Sequence, residues 1–347
     1  MATTLPGPVA LLGSGETAPT SGPIYEALAR RGRVPLLVAV LETPAGFQPN
    51  AAAVAGRVAD FLRVRLQNYQ PQVRLVAARE RGTPASPDDP QVTAPILEAD
   101  LLFLGAGSPT YTVRQLAGSL AWERLLARHQ AGAAIATASA ATIAVGALAL
   151  PVYEIYKAGE PLHWRPGLDL FGRYGLRLVV LPHWNNADGG TELDTSRCFM
   201  GQARYERLLT LLPPEITVVG IDEHTALLLD PAASVCEVLG RGGVTLVRAG
   251  VERRFARKTR FAITELGPFR PPAPPALAPP VAPAAPPAAP AEVMALVAAR
   301  QEARARRDWA TADALRREIA ALGWWVRDTP AGPRLEPGNP QPEGHER

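Results

Sequence analysis

In a chain of 347 residues, one serine stands where a nucleophile would be held. Ser139 lies in Thr137-Ala138-Ser139-Ala140-Ala141, between an apolar strand-like run and an alanine-rich helix-like run. In open α/β sheets ligands bind beyond the carboxyl ends of the strands, so residues just after strands carry the chemistry. A serine on a strand-to-helix turn, flanked by small residues, has the setting of a nucleophile elbow: small neighbours permit a strained turn, and N–H groups at the helix start favour developing negative charge. The competing reading is a filler hydroxyl bonded to its own backbone. Two other strand ends are rich in small residues, "GSGE" at Gly13 to Glu16 and "GAGSPT" at Gly105 to Thr110.

Other chemistries find less support. "GSGETA" from Gly13 to Ala18 fits a dinucleotide fingerprint, with Glu42 as a ribose ligand. The "PTSGP" that follows keeps a helix from starting beside the second glycine, so the pyrophosphate would lack its main partner and no cofactor is expected. His129, His163 and His224 have no companions at ligand spacing, and no metal site is expected. Arg114 in "YTVRQL" either holds a substrate carboxylate or covers a solvated helix face. Trp164 and Trp184 either line a pocket or belong to the core.

Apolar strand candidates alternate with helical ones through the first part of the chain. "PVALLGSG", "VPLLVAVLETP", "QVRLVAA", "DLLFLGAG", "AAIATAS" and "LRLVVLPHW" read as buried strands. "GPIYEALARR", "AAAVAGRVADFLRVRLQNY" and "SRCFMGQARYERLLTLL" read as helices. The expected fold is a three-layer α/β domain around a mostly parallel sheet, spanning residues 1–266. "ITVVGIDEHTALLLD", "SVCEVLGRGG" and "VTLVRAG" read as an antiparallel extension. Residues 267–291 hold 11 of the 36 prolines and read as a polyproline-type linker. Residues 292–336 form a helical hairpin module with Gly323 ending its second helix, and 337–347 read as a disordered tail.

Bulk properties narrow the classes further. A hydrophobic fraction of 47% with 20% charged residues is that of a soluble globular protein. Two cysteines, Cys198 and Cys236, form no disulfide framework, and there is no secretory signal pattern, so a cytoplasmic, reducing setting is expected. The uncharged stretch from Ala131 to Tyr153 is long enough for a bilayer but only weakly apolar, and reads as a buried strand and helix. A net charge of +3 is too small to argue by itself for nucleic acid.

The order of the two glycine-rich strand ends, Ser139 between small residues, "LPHW" and "GIDEHTALLLD" resembles the cyanophycinase and dipeptidase E family over residues 8–265. That resemblance implies a class I glutamine-amidotransferase-like fold and a serine peptidase or amidohydrolase acting on a small peptide or amide, beside an acidic or β-linked aspartyl residue. The family's elbow reads Gly-Thr-Ser-Ala-Gly; here Thr137 and Ala141 replace the glycines. In dipeptidase E-like members the base lies in a Pro-His-aromatic stretch, matched by Pro182-His183-Trp184, and the acid fifteen residues after the serine, matched by Glu154. In cyanophycinase-like members the histidine precedes Phe, where this chain has Cys198, and the acid in Ile-Asp-Glu is matched by Glu223. The implied set is Ser139 as nucleophile, His183 as base and Glu154 as orienting acid, with Glu223 the second choice. The N–H groups of Ala140 and of Gly107 or Ser108 would form the oxyanion hole.

The module resembles the C-terminal domain of cysteinyl-tRNA synthetases through Arg307-Asp308-Trp309, Ala312-Asp313, Leu315-Arg316, Ile319 and Leu322-Gly323. The resemblance implies tRNA as a partner of residues 292–336, although nothing here resembles the catalytic domain of those enzymes. Helical spacing puts Trp309, Leu315, Ile319 and Leu322 in the hairpin seam. Arg300, Arg304, Arg306, Arg307, Arg316 and Arg317 either contact phosphates or form a solvated face with neighbouring acids. Docking of another protein is a further reading. A hydrolase scaffold without activity, whose tail engages a partner, is the alternative to the enzyme.

Overall fold

A computed structural model describes residues 5–270, 289–329 and 332–337. The proline-rich residues 271–288 and the tail from 338 lie outside the described residues, so the polyproline and disorder readings fall there. The chain divides into two compact units, Met1–Pro275 and Ala276–Arg347.

The first unit runs β1 (Val9–Leu12), α1 (Gly22–Ala29), β2 (Leu37–Leu41), α2 (Ala51–Arg65), β3 (Gln72–Val76), β4 (Leu101–Leu104), α3 (Pro109–Leu116), α4 (Leu120–Gln130), β5 (Ala134–Ala138) and α5 (Ala140–Ala144). After these come β6 (Leu148–Ala149), α6 (Val152–Tyr156), β7 (Arg165–Pro166), β8 (Leu178–Leu181), α7 (Gly201–Leu209) and β9 (Thr217–Ile221). It closes with β10 (Thr225–Asp230), β11 (Val235–Gly240), β12 (Val244–Arg248), β13 (Val251–Phe255) and β14 (Arg260–Ala262).

An eight-stranded sheet in the order β14-β11-β10-β1-β5-β4-β2-β3 forms the middle layer. The five strands from β1 to β3 are parallel, and β10, β11 and β14 extend the sheet antiparallel. Side chains alternate between two cores, as the pleat requires. Leu12, Val38, Val40, Phe103 and Ala136 pack with Ile24 and Leu28 of α1 and Val58 and Leu62 of α2. Leu11, Ala39, Leu41, Leu102 and Ile135 face the other way, against Leu116, Trp122, Leu125 and Ala141 of α3, α4 and α5. Burial on both faces explains why these strands are continuous apolar runs. The uncharged stretch from Ala131 supplies β5 and α5, and among the described residues no helix is long and apolar enough to cross a membrane.

One strand departs from expectation. The "LRLVVLPHW" strand does not join the main sheet: β8 pairs with β9 in a separate sheet, order β13-β12-β9-β8. The reason is that β10 occupies the place beside β1, with Val9 opposite Leu229. His183 thus hangs from the second sheet and Ser139 from the first.

The second unit holds α8 (Ala291–Ala305), α9 (Trp309–Ala321), β15 (Trp324–Thr329) and β16 (Gly332–Pro337). Asp308 caps α9 by accepting the Thr311 N–H at 3.1 Å, and Gly323, at φ 80°, turns the chain into the β-hairpin. The seam differs from the helical-spacing expectation. Val293, Val297, Ile319 and Val326 form the core, whereas Trp309 and Leu322 are 57% and 43% exposed. Trp309 is the first residue of α9, one turn short of the packed face. Arg300 is buried, with both Nη atoms 2.9 Å from the carboxylate of Asp328, so it is a structural residue and not a phosphate contact.

Candidate active site

Ser139 links the end of β5 to α5 at φ 51°, ψ −112°, a conformation that sterics disfavour for any residue with a Cβ. Thr137 does not prevent the turn. It points into the core, where its hydroxyl lies 2.9 Å from that of Thr142, which donates to the Leu12 carbonyl. The Ser139 hydroxyl projects instead into a cavity of about 500 Å³, lined also by Gly107, Ala140, Tyr156, Lys157, His183 and Asp188 among others.

His183 meets it there. Its Nε2 is 3.1 Å from Ser139 Oγ, and its Nδ1 is 2.9 Å from Glu223 Oε1. A carboxylate only accepts, so Nδ1 carries the hydrogen and donates to Glu223, which leaves the Nε2 lone pair facing the serine hydroxyl. His183 is also held at positive φ, 52°, and its N–H donates to the Gly13 carbonyl at 3.1 Å. The first glycine-rich strand end thus braces the imidazole. Its supposed ribose ligand, Glu42, is buried and paired with Arg79.

Glu223 sits where the chain crosses from β9 to β10. Beside it, buried Asp222 accepts from Arg254 and from the Gly243 N–H, anchoring the crossover. Two asparagines that the sequence reading did not single out also hold Glu223: Asn185 Oδ1 accepts its N–H at 2.8 Å, and Asn186 Nδ2 donates to Oε1 at 3.0 Å. The cluster of short polar residues directly after Pro-His-Trp was the available signal.

The first-choice acid is not at the imidazole. Glu154, on α6, makes no hydrogen bond to His183, whose Nδ1 is taken by Glu223. Glu154 instead lines an adjoining cavity of about 470 Å³ with Phe47, Gln48, Tyr111 and Arg114, and its buried Oε2 has no partner among the described residues. Tyr153 belongs to the walls of both cavities. Arg114 is exposed there, its guanidinium 5.0 Å from the Tyr111 ring.

The oxyanion-hole candidates divide. The N–H of Ser108 is committed to the Pro44 carbonyl at 2.9 Å, and its hydroxyl caps α3. Among the described residues, the N–H groups of Gly107 and Ala140 have no acceptor, and both residues line the Ser139 cavity. Gly107 is required by close approach, because a Cβ there would overlap the Pro44 carbonyl oxygen.

Trp184 is a correction. It is 2% exposed, edge-on to Tyr205 at 5.1 Å and under the Arg197 guanidinium at 4.1 Å, and Gly220 makes room for its ring. His183, at φ 52°, turns out of the line of β8 toward the cavity, while Trp184, whose N–H donates to the Ile221 carbonyl, sends its ring into the core beside Gly220. Trp164 is half-buried and donates to the Leu208 carbonyl at 2.9 Å. Cys198, at the position of the cyanophycinase-like histidine, is buried with its thiol pKa pushed up by desolvation. It lies in a turn not foreseen from sequence: Arg197, Cys198 and Phe199 are all left-handed, at φ 54°, 60° and 65°. The N–H groups of Arg197 and Cys198 donate to the Trp184 and His183 carbonyls, and the Phe199 ring lies 5.5 Å from that of His183. Among the described residues no group of His, Cys, Asp and Glu could hold a metal.

Residues 286–332 match the family model of the cysteinyl-tRNA ligase anticodon binding domain. Curated relatives match over a similar length: the cysteine–tRNA ligase of Chlamydia pneumoniae is 53% identical over 45 residues, 13% of this chain and 10% of that protein. That of Cutibacterium acnes is 58% identical over 40 residues, 12% of this chain and 8% of that protein. The chain therefore spans about a tenth of the length of these curated relatives. Among solved structures, a peptidase from an acI-B1 Actinobacterium aligns over 75% of this chain and 98% of its own, with a TM-score of 0.60 and 18% identity. The chain thus joins an α/β domain with the fold of that peptidase to a module that matches the anticodon-binding-domain model.

Proposed function

We propose that the α/β domain is a serine hydrolase that cleaves a peptide or amide bond in a small substrate. The observation that carries this reading is the hydrogen-bonded series from Ser139 through His183 to Glu223, at 3.1 and 2.9 Å, opening on a cavity. His183 takes the hydroxyl proton as Oγ attacks the carbonyl carbon, and Glu223 stabilises the imidazolium and holds its tautomer. The N–H groups of Gly107 and Ala140 receive the oxyanion. The C–N bond then breaks as His183 returns the proton to the leaving amine, and water releases the acyl group by the same route. In the adjoining cavity Arg114 would take a carboxylate of the substrate, which suits an acidic residue beside the scissile bond, and Glu154 would face a cationic group. A fluorophosphonate probe tests the reading: it should label the wild type at Ser139 and leave Ser139→Ala untouched. Equal labelling of both, or of neither, rules the reading out.

A second reading concerns the C-terminal module, and the family match favours it. We infer that this module engages tRNA. Arg306 and Arg307 are exposed, with no side-chain partner among the described residues, in the turn before Trp309. Removing residues 268–347 should weaken tRNA binding and flatten its salt dependence; unchanged binding rejects the idea.

A further inference from the structure

The hydrolase reading needs Glu223 to stay at one oxygen-to-nitrogen distance from His183, yet the two residues lie 40 positions apart on different strands' ends. We propose that Asn186 is the positioning residue that fixes this acid and, with the same amide, a second acid in the substrate cavity. The proposal rests on the hydrolase reading.

Asn186 is 3% exposed, and its N–H donates to the His183 carbonyl at 3.2 Å, so it is part of the loop that carries the imidazole. Its Nδ2 donates to Glu223 Oε1 at 3.0 Å and to Asp188 Oδ2 at 2.9 Å, while its Oδ1 accepts the Asp188 N–H at 3.1 Å. An sp² carboxylate oxygen has two lone pairs, and on Glu223 Oε1 they meet His183 Nδ1 and Asn186 Nδ2. The carboxylate therefore loses a charge-assisted bond if it swings away. The same NH₂ group stands between Glu223 and Asp188, two like charges that would otherwise repel, and so keeps Asp188 in the wall of the Ser139 cavity. Only a primary amide offers two donors from one nitrogen at this reach; Asp would add a third negative charge and Ser would stop short.

The test combines probe labelling with pH. The charged and titratable groups around His183 are Glu223 at Nδ1, Asp188, Lys157 and the Tyr153 and Tyr156 hydroxyls in the cavity wall, and the Cys198 thiol. Removing the Asn186 donor leaves more of the Glu223 charge facing the imidazolium, so the His183 midpoint should rise. Asn186→Ala is expected to react with a fluorophosphonate roughly 10- to 100-fold more slowly, the equivalent of one hydrogen bond to a charged group, with a labelling midpoint displaced to higher pH. Asn186→Asp should lose more. A role confined to folding would lower the melting temperature without moving the midpoint, and that result overturns the proposal, as does unchanged labelling rate and midpoint. A wild type that takes up no probe overturns the hydrolase reading and this proposal with it. Should Asn186→Ala not fold, the wild-type protein decides by NMR: with five histidines in the chain, the His183 titration can be isolated. The Asn186 side-chain ¹⁵N signal is then expected to move with that midpoint. A flat signal sinks the proposal.

Discussion

Around Ser139 the chain keeps hydrogen-bonding groups open at a cavity and bends its backbone against preference, with Ser139, His183 and three consecutive residues from Arg197 at positive φ. Around Arg300 it does the reverse: both guanidinium Nη atoms close on Asp328, and Arg304 joins the same carboxylate at 2.8 Å. Backbone strain of this kind amounts to about 1–3 kcal/mol per residue and persists only where the surroundings over-determine it. The contrast separates a strained, cavity-facing region from a closed, ion-paired one. It also runs opposite to sequence likeness. The module has relatives above 50% identity but turns Arg300 inward, whereas the domain matched at 18% holds the hydrogen-bonded series from Ser139 through His183 to Glu223.

The largest expected effect tests the acid. Glu223→Gln should lower kcat by roughly 10³- to 10⁴-fold, while Glu154→Gln should change kcat by less than about tenfold and act on KM. The reverse pattern in steady-state kinetics would restore Glu154 as the acid and dissolve the contrast. Next, Gly107→Ala should drive the loop off Pro44 and lower kcat by roughly 10²-fold or more, the loss of one oxyanion donor; wild-type turnover would show that this N–H is not used. In the module, Asp328→Asn should destabilise by about 1 kcal/mol, because the carboxylate is 44% exposed and solvent screens part of its pairing with the buried guanidinium. Denaturation of the full chain, followed by fluorescence of the module's tryptophans, reads that loss. The Asp328 carboxyl is held below the usual carboxylate range by its bond to Arg300. This stabilisation is complete above about pH 4, the unfolded value, and disappears as pH falls further.

A pH-dependent effect should come from His129, buried beneath the α/β sheet with Nε2 2.6 Å from the Tyr174 hydroxyl. Burial lowers its pKa to about 4. The unfolded chain takes up this proton near pH 6.5 and the folded one does not, so stability from the neutral imidazole is full above that value. It decreases by up to roughly 3 kcal/mol as pH falls to about 4. His129→Phe should flatten the melting temperature across this window; an unchanged slope would place the acid sensitivity elsewhere.

How much of this could be read in advance depends on the distance over which each contact forms. The elbow at Ser139 is local: small residues between a strand and a helix announce it. Pro182-His183-Trp184 announces the imidazole beside Ser139, but the motif alone does not say that Trp184 turns to the core, which depends on Gly220 across the second sheet. The acid was harder still, since Glu154 and Glu223 each have a motif register and only the crossover between β9 and β10 brings one of them to Nδ1. Arg197, Cys198 and Phe199 carry no residue type that favours a left-handed backbone, so nothing in their sequence marks the turn. In the module, helical spacing found Ile319 but placed Trp309 inside, because periodicity does not register that a helix has only just begun.

The crossover at Asp222 and Glu223 has a mechanical consequence. The Ser139 oxygen rides on one sheet and the His183 imidazole on another, and they meet only while the two layers hold their alignment. A slight slip along that junction, from heat or dilute urea, would part the reactive atoms while both ladders of backbone bonds remain whole. On the hydrolase reading, turnover would then fade before circular dichroism registers any change.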